Sequence, residues 1–230
     1  MHNTYEQREL VMAALVSSLK DFLFMGKEYL FKDKVVATNI VCVEEDNVIG
    51  IKGQLGLPWY CGTDMHIFKS LTKDKIVVVG AETWATIPNG LPGRKVVVIN
   101  RTKSSSFKNE PGVYYFKPEC FGDMAELKTF VEAEDFFIIG GGIIYEAYGS
   151  QADMEIVTKL DINIHDYVEL EEKQLIRYTG INSSKDAVVQ KLCNVPIRIG
   201  GKEQVVNDNN PHSVTMAPTC NLTVECRAAG

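Results

Sequence analysis

Asp64 is the side chain in this sequence best placed to do chemistry. It follows the stiff apolar run Leu57-Pro58-Trp59 by five residues and shares the i, i+4, i+7 face of a helical stretch with Phe68 and Leu71. A carboxylate on an apolar face is costly to bury unless something pairs with it. Asp64 therefore reads as a catalytic or substrate-binding group, and not only as an anion welcomed by a helix N-terminus. The preceding stretch, Gly50-Ile51-Lys52-Gly53-Gln54-Leu55-Gly56, carries three glycines in seven residues. Such a loop is mobile, and an apolar end finishing in Trp suits a lid over a ligand. Two further stretches run from an apolar strand through glycine into a helix start: Val79-Gly80-Ala81-Glu82-Thr83-Trp84 and Ile138-Ile139-Gly140-Gly141-Gly142-Ile143-Ile144-Tyr145. Glycines let backbone approach a ligand, and a helix start offers amides to an anion. Neither stretch is G-x-G-x-x-G or G-x-x-x-x-G-K-S/T, so each says only that an anion could sit near a helix start. Arg94, Lys95, Arg101 and Lys103 lie within ten residues that hold no acid, a local charge of +4 suited to a phosphate or carboxylate.

These residues need a frame. Short apolar runs at 35–43, 48–50, 76–79, 96–99, 113–116, 136–139 and 155–160 read as strands, with a polar turn at Glu44-Glu45-Asp46-Asn47. Helical stretches fall at 64–71, where Thr63 can cap, and at 82–87, 123–133 and 142–149. Strands alternating with helices, several apolar throughout, indicate an α/β sheet covered on both faces, whose ligands sit beyond the carboxyl ends of the strands. Ahead of it, Thr4-x-x-Gln7 is a capping box, and Val11, Leu15, Leu19 and Phe22 form the stripe of an amphipathic helix over 4–31. That helix is expected to pack on the α/β body or on a second subunit. Toward the C-terminus, 169–203 looks inserted, Val195, Ile197 and Ile199 alternate as in a strand, and 221–226 is a candidate last strand.

The whole chain has 230 residues, 45% hydrophobic and 23% charged, with 24 basic and 30 acidic side chains for a net charge of −6. That is a soluble globular composition with material for one sizeable core. An acidic chain of this kind has no broad basic surface for nucleic acid or anionic membrane. The apolar stretch from 10 to 25 is interrupted by Lys20 and Asp21, and Glu6 and Glu9 precede it, so neither a membrane span nor a signal peptide is expected. Six cysteines without C-x-x-C spacing suggest reduced structural thiols, no metal site and a cytoplasmic setting. The sequons at Asn182 and Asn221 then carry no role, and His165 and His212 read as surface residues.

In order along the chain, Ile49-Gly50, Leu57-Pro58-Trp59, Asp64, Phe68, Thr72, Gly80-x-x-Thr83-Trp84, Leu91-Pro92-Gly93-Arg94, Ile139-Gly140-Gly141-Gly142-x-x-Tyr145 and Thr158 resemble the dihydrofolate reductase family over residues 38–161. The reductase domain of riboflavin synthesis shares that fold but is not expected to combine these motifs. The resemblance implies an α/β fold with a mixed, mostly parallel central sheet flanked by helices, here with an extra N-terminal helix. It divides the chain into an extension at 1–34 and a reductase domain at 35–230, divergent after 161. It implies NADPH-dependent reduction of 7,8-dihydrofolate by hydride transfer to C6 and protonation at N5, and binding of antifolates such as methotrexate.

Residue by residue, the resemblance implies a catalytic group of Asp64, Trp59 and Thr158, with Thr158 orienting Asp64 against the pterin. Ile40, Met65, Phe68 and Ile87 would line the pterin and benzoyl walls, and Arg94 would hold the glutamate carboxylate as a forked pair. Cys42 would contribute its backbone alone, and Ile139 and Tyr145 would face both ligands. Ile49, Gly50, Leu57, Gly80, Thr83, Asn100, Arg101, Thr102, Gly140, Gly141, Gly142 and Ile144 would complete the cofactor site, with a cis Gly140-Gly141 peptide. Ala81-Glu82 stands where the family usually has a basic residue, so Arg101, helped by Lys103, would replace a missing cation. A non-catalytic protein keeping the fold, or a reductase of another pterin or of a ribosylated pyrimidine, are the alternatives. A monomer and a dimer through the N-terminal helix are both compatible with the sequence.

Overall fold

A computed structural model describes residues 3–54, 56–101, 111–167, 171, 174–181, 184–199 and 219–229. Its spine is a nine-stranded sheet. Six strands run parallel in the order β8 (Met154–Leu160), β1 (Ala37–Val43), β7 (Phe136–Ile138), β4 (Ile76–Gly80), β5 (Lys95–Ile99) and β6 (Val113–Phe116). Beyond β8 the sheet continues antiparallel through β11 (Thr219–Ala229), β10 (Ser184–Ile199) and β3 (Trp59–Cys61). A separate pair joins β2 (Val48–Ile51) to β9 (Leu175–Arg177), placing a strand from the C-terminal third against the start of the glycine loop.

The residue patterns explain this order. Strand β1 is buried at every position, and the Ile-Val-Val-Val and Val-Val-Val-Ile runs of β4 and β5 are buried likewise, as strands covered on both faces must be. In β11, Cys220, Leu222, Val224, Cys226 and Ala228 are buried while their neighbours are not, the period-two pattern of a strand covered on one face. The cover on that face is helical: Leu15 and Leu19 of α1 (Asn3–Met25) join Ile67 and Leu71 of α2 (Gly62–Thr72) in the larger core. On the other face Leu127 of α4 (Met124–Phe130) joins Ile144 and Tyr148 of α5 (Gly142–Tyr148). The short α3 (Ala81–Ala85) continues directly from β4.

Several local expectations need correction. Thr63 does not cap α2; Cys61 is the N-cap, without a side-chain bond, and Thr63 lies inside the first turn. Thr4 lies inside α1, and the expected capping box rests on its side chain, which is outside what is described. α1 stops at Met25 and continues to Leu30 only as one wider π-helical turn. Of the expected stripe, Leu15 and Leu19 are buried and Phe22 packs half-buried against the core, while Val11 is half exposed and Val16 is buried in addition. The 123–133 stretch ends as a helix at Phe130, and Glu132 and Ala133 take positive φ. The segment expected to be inserted contains β9 and the whole of β10, while Thr102, Lys103 and His212 lie outside the described residues.

Candidate active site

Asp64 sits in the first turn of α2, above two neighbouring strands. Cys42 of β1 and Thr158 of β8 are direct partners in the parallel register, so their side chains emerge side by side on one face. Both lie close enough to the Asp64 carboxylate to favour its charged form. Burial raises the Asp64 carboxyl from 3.8 to about 6, and Thr158 and Cys42 only partly oppose that rise. The Cys42 side chain thus lies beside the Asp64 carboxylate, in addition to the backbone role expected of it. Its thiol is raised, chiefly by burial and then by the Asp64 charge, with the Trp59 indole acting the other way. The Trp59 N–H is buried and meets no partner of regular hydrogen-bond geometry among the described residues. A polar group so placed is available to a ligand or water.

Trp59 owes its position to an element that three residues after Leu-Pro do not announce. Trp59 pairs with Ile199 and Cys61 with Ile197, so the far end of the glycine loop is stitched to β10. The near end is held by β2 and β9, and Lys52 N–H donates to the Gln174 carbonyl at 2.7 Å. Glu44, expected in a polar turn, has no exposed surface; it accepts from the Asp46 and Val48 amides at 2.7 and 3.0 Å. Leu57, on the loop itself, is exposed.

The two glycine-bearing strand ends meet. Gly80 N–H donates to the Gly140 carbonyl at 2.8 Å, linking the end of β4 to the residues after β7. The Gly140-Gly141 peptide is cis, as expected. A Cβ on Gly140 would lie 2.8 Å from the Tyr145 ring, on Gly141 2.5 Å from Thr83 Oγ1, and on Gly142 2.4 Å from Ile176 Cγ2. No other residue fits this cradle. Tyr145 is buried, donates its hydroxyl to the Ile40 carbonyl at 2.7 Å, and has its pKa raised by burial and by Asp64. Ile49, Ile139, Ile144 and Gly50 surround this platform in the buried or half-buried range, with Thr83 half-buried beside them.

Arg94 approaches α2 from the other end. Its Nε donates to Thr72 Oγ1 at 3.0 Å, Nη1 to the Pro92 carbonyl at 2.7 Å, and Nη2 to the Lys69 carbonyl at 3.2 Å. Its guanidinium lies 5.7 Å from the Phe68 ring centroid. A guanidinium carries five N–H donors, so these bonds leave donors free on both terminal nitrogens for a forked carboxylate. Met65, Phe68 and Ile87 are half-buried, as a ligand-facing wall should be before its ligand arrives. Arg101 is exposed and lies 4.7 Å over the Phe121 ring, with Asn100 half-buried beside it. Glu82 is exposed on the first turn of α3 and adds no cation.

The profile described as dihydrofolate reductase matches residues 36–189, well past the point where the quoted motifs end. Dihydrofolate reductase type 9 of Escherichia coli is 26% identical over 182 residues, covering 79% of this chain and 97% of that protein. Dihydrofolate reductase type 3 of Salmonella typhimurium is 30% identical over 157 residues, covering 64% and 90%. A solved dihydrofolate reductase from Enterococcus faecalis, in complex with NADP(H) and RAB-propyl, superposes with a TM-score of 0.53. It is 19% identical and covers 84% of this chain and 95% of its own, a likeness of fold.

Proposed function

Because the chain belongs to the dihydrofolate reductase family, we infer that the site built around Asp64 reduces 7,8-dihydrofolate to 5,6,7,8-tetrahydrofolate with NADPH. The observation that carries this reading is a desolvated carboxylate beside Thr158 and Cys42, near enough to Tyr145 for its charge to be felt there, with Tyr145 packed against Gly140 of the glycine cradle. The cradle suits NADPH, since three successive glycines leave bare backbone at the strand-to-helix turn, where a phosphate can approach closely. When bound, NADPH supplies the hydride that C6 accepts. Every other task falls to the chain. Gly140, Gly141, Gly142, Thr83 and Gly80 would hold the cofactor's phosphates by backbone and hydroxyl, with Arg101 and Asn100 toward its far end. Ile49, Ile139, Ile144 and Tyr145 would flank the nicotinamide.

Asp64 would accept hydrogen bonds from the pterin amino group and ring nitrogen, favouring the N5-protonated substrate. Thr158 and Cys42 hold its oxygens toward that ring. Trp59, Leu57, Ile40, Met65, Phe68 and Ile87 would shut out water around the reacting atoms, and Arg94 would fix the glutamate carboxylate. The same pocket makes the chain a target for antifolates such as methotrexate. Free thiols at all six cysteines support a reducing, cytoplasmic setting. Among the described residues no helix is long and apolar enough to cross a membrane. The chain would act as a monomer or as a dimer through α1, attached to a reductase domain spanning 35–230.

The purified protein is expected to oxidise NADPH only when dihydrofolate is added, and Asp64→Asn to lose most of that rate. Absence of turnover, with no rise in melting temperature on adding methotrexate and NADPH, would indicate a protein that keeps the fold without the activity. Faster turnover of another pterin or a ribosylated pyrimidine would reassign the substrate.

A further inference from the structure

Glu155, near the start of β8, is the head of a polar chain that the catalytic reading leaves unused. Its side chain has no exposed surface, yet both oxygens are satisfied. Oε1 accepts from Arg227 Nη1 of β11 at 2.9 Å, and Oε2 accepts from the Tyr178 hydroxyl at 2.8 Å and the Ile181 amide at 3.2 Å. Gly180 is required for that approach, because a Cβ there would lie 2.5 Å from Oε2. The Tyr178 hydroxyl in turn accepts from Asn39 Nδ2 at 3.0 Å. Asn39 Nδ2 also donates at 2.8 Å to the carbonyl of Gly149, the C-cap of α5. Arg227 is held from its outer side by Glu225, which also pairs with Lys159 at 3.3 Å. The Tyr178 ring meets the Tyr145 ring edge-on, with centroids 5.0 Å apart and planes at 82°.

We propose that Tyr178, Glu155, Asn39 and Arg227 are positioning residues that hold α5 and Tyr145 in register with the nicotinamide. The helix is gripped at two points: its C-terminal carbonyl by Asn39, and its Tyr145 ring by Tyr178. Tyr145 is then free to direct its hydroxyl at the Ile40 carbonyl, which fixes the ring plane facing the site. A buried charge keeps such a network in one arrangement, since moving any member strands a polar group in a low dielectric. Through Arg227 the divergent C-terminal strand becomes part of cofactor recognition. None of the four is among the residues assigned to touch dihydrofolate, and Tyr145 is the one braced residue that faces both ligands, so their removal should act more strongly on NADPH than on dihydrofolate. This proposal rests on the reading of the glycine cradle as the nicotinamide platform.

The decisive variant is Tyr178→Phe, which keeps the ring against Tyr145 and removes the hydroxyl that joins Asn39 to Glu155. At a temperature well below melting, the KM for NADPH is expected to rise about fivefold, with the KM for dihydrofolate changing less than about twofold. NADPH affinity measured directly by quenching of protein fluorescence should fall by the same factor. Asn39→Ala, which cuts the tie to Gly149 without touching the buried charge, carries the same expectation and serves if Tyr178→Phe does not fold. Glu155→Gln keeps an acceptor for Tyr178 and should retain most NADPH affinity while melting lower. Unchanged NADPH affinity in folded Tyr178→Phe or Asn39→Ala would overturn the brace. So would equal rises in both KM values that track the loss of melting temperature, the mark of a structural role alone. Wild-type protein that binds no NADPH would instead overturn the reading of the platform.

Discussion

Asp64 makes the molecule less stable in order to be useful. Its carboxyl is raised to about 6 in the folded chain from an ordinary 3.8, burial being the cause. The folded state therefore holds the proton more tightly than the unfolded chain between those values, and stability falls as pH rises through that window. Below it both states are protonated and the penalty vanishes; above it the penalty is complete, about 3 kcal/mol at most. Asp64→Asn is expected to raise the melting temperature by roughly 5 °C at pH 7.5 and to leave it unchanged at pH 3.5, measured by calorimetry without ligands. The opposite sign at pH 7.5 would mean that Asp64 has a cationic partner in the folded chain. The same proton affinity predicts that hydride transfer, followed in single turnovers, slows as pH rises above about 6, and that Asp64→Asn loses that inflection. Glu82 is a second departure from ease. It places a negative charge on the first turn of α3, beside Thr83 and the glycine cradle. Glu82→Lys should lower the KM for NADPH about threefold at low salt, and the gain should shrink in high salt because the group is exposed.

Among the elements, β10 bears most directly on the lid. Ile197 is 2% exposed and pairs with Cys61, the residue that starts α2 and so sets the height of Asp64. Ile197→Ala should cost about 2–4 kcal/mol of stability and raise the KM for dihydrofolate as Trp59 and the first turn of α2 loosen. Val189→Ala, on the same strand but half exposed, should do neither. A drop in melting temperature with no change in that KM would show that β10 supports the sheet but not the lid. This strand also shows where sequence reading stops. The alternation Val195, Ile197, Ile199 was visible, as were the parallel strands, because burial on both faces writes a continuous apolar run. The pairing of β10 with β3 was not visible, since Trp-Tyr-Cys is too short to carry a period and its partner lies over 130 residues away. Asp64 and the glycine cradle were legible because their residue types are unusual for their places. Glu155 was not, since a Glu at the head of a strand reads as solvent-facing until Arg227 and Tyr178 are brought beside it. The cap signal at Thr63 misled because α2 begins at Gly62 with Cys61 as its N-cap, so Thr63 falls inside the first turn.

At the scale of the whole molecule, the N-terminal extension is a cover and also leaves a surface unexplained by the cover. The sheet widens past β8 by three antiparallel strands, and the buried side chains of β11 need an apolar lid on one face. α1 supplies it: Leu15 and Leu19 are within 4% of full burial, in one cluster with Leu222, Val224 and Cys226. The following turn is fixed as tightly, because a Cβ on Gly26 would lie 2.5 Å from the Met154 side chain. Lys27 closes the edge through Asp135 at 2.9 Å. Deleting residues 1–33 would expose this cluster to water and is expected to lower the melting temperature by more than about 10 °C or leave the chain insoluble. Away from that buried side, Leu10 and Val11 near the start of the helix, Phe24 and Met25 at its end, and Tyr29 and Leu30 in the following turn are at least half exposed. Apolar side chains left exposed at both ends of one element are the kind of surface that a second subunit covers. The paired variant Leu10→Glu/Phe24→Glu touches those exposed side chains alone. It should leave melting temperature and turnover as in the wild type while lowering the mass seen by light scattering to that of one chain. A wild-type protein already monomeric at high concentration would confine α1 to its role as a cover, and the deletion would then lower stability without changing oligomer size.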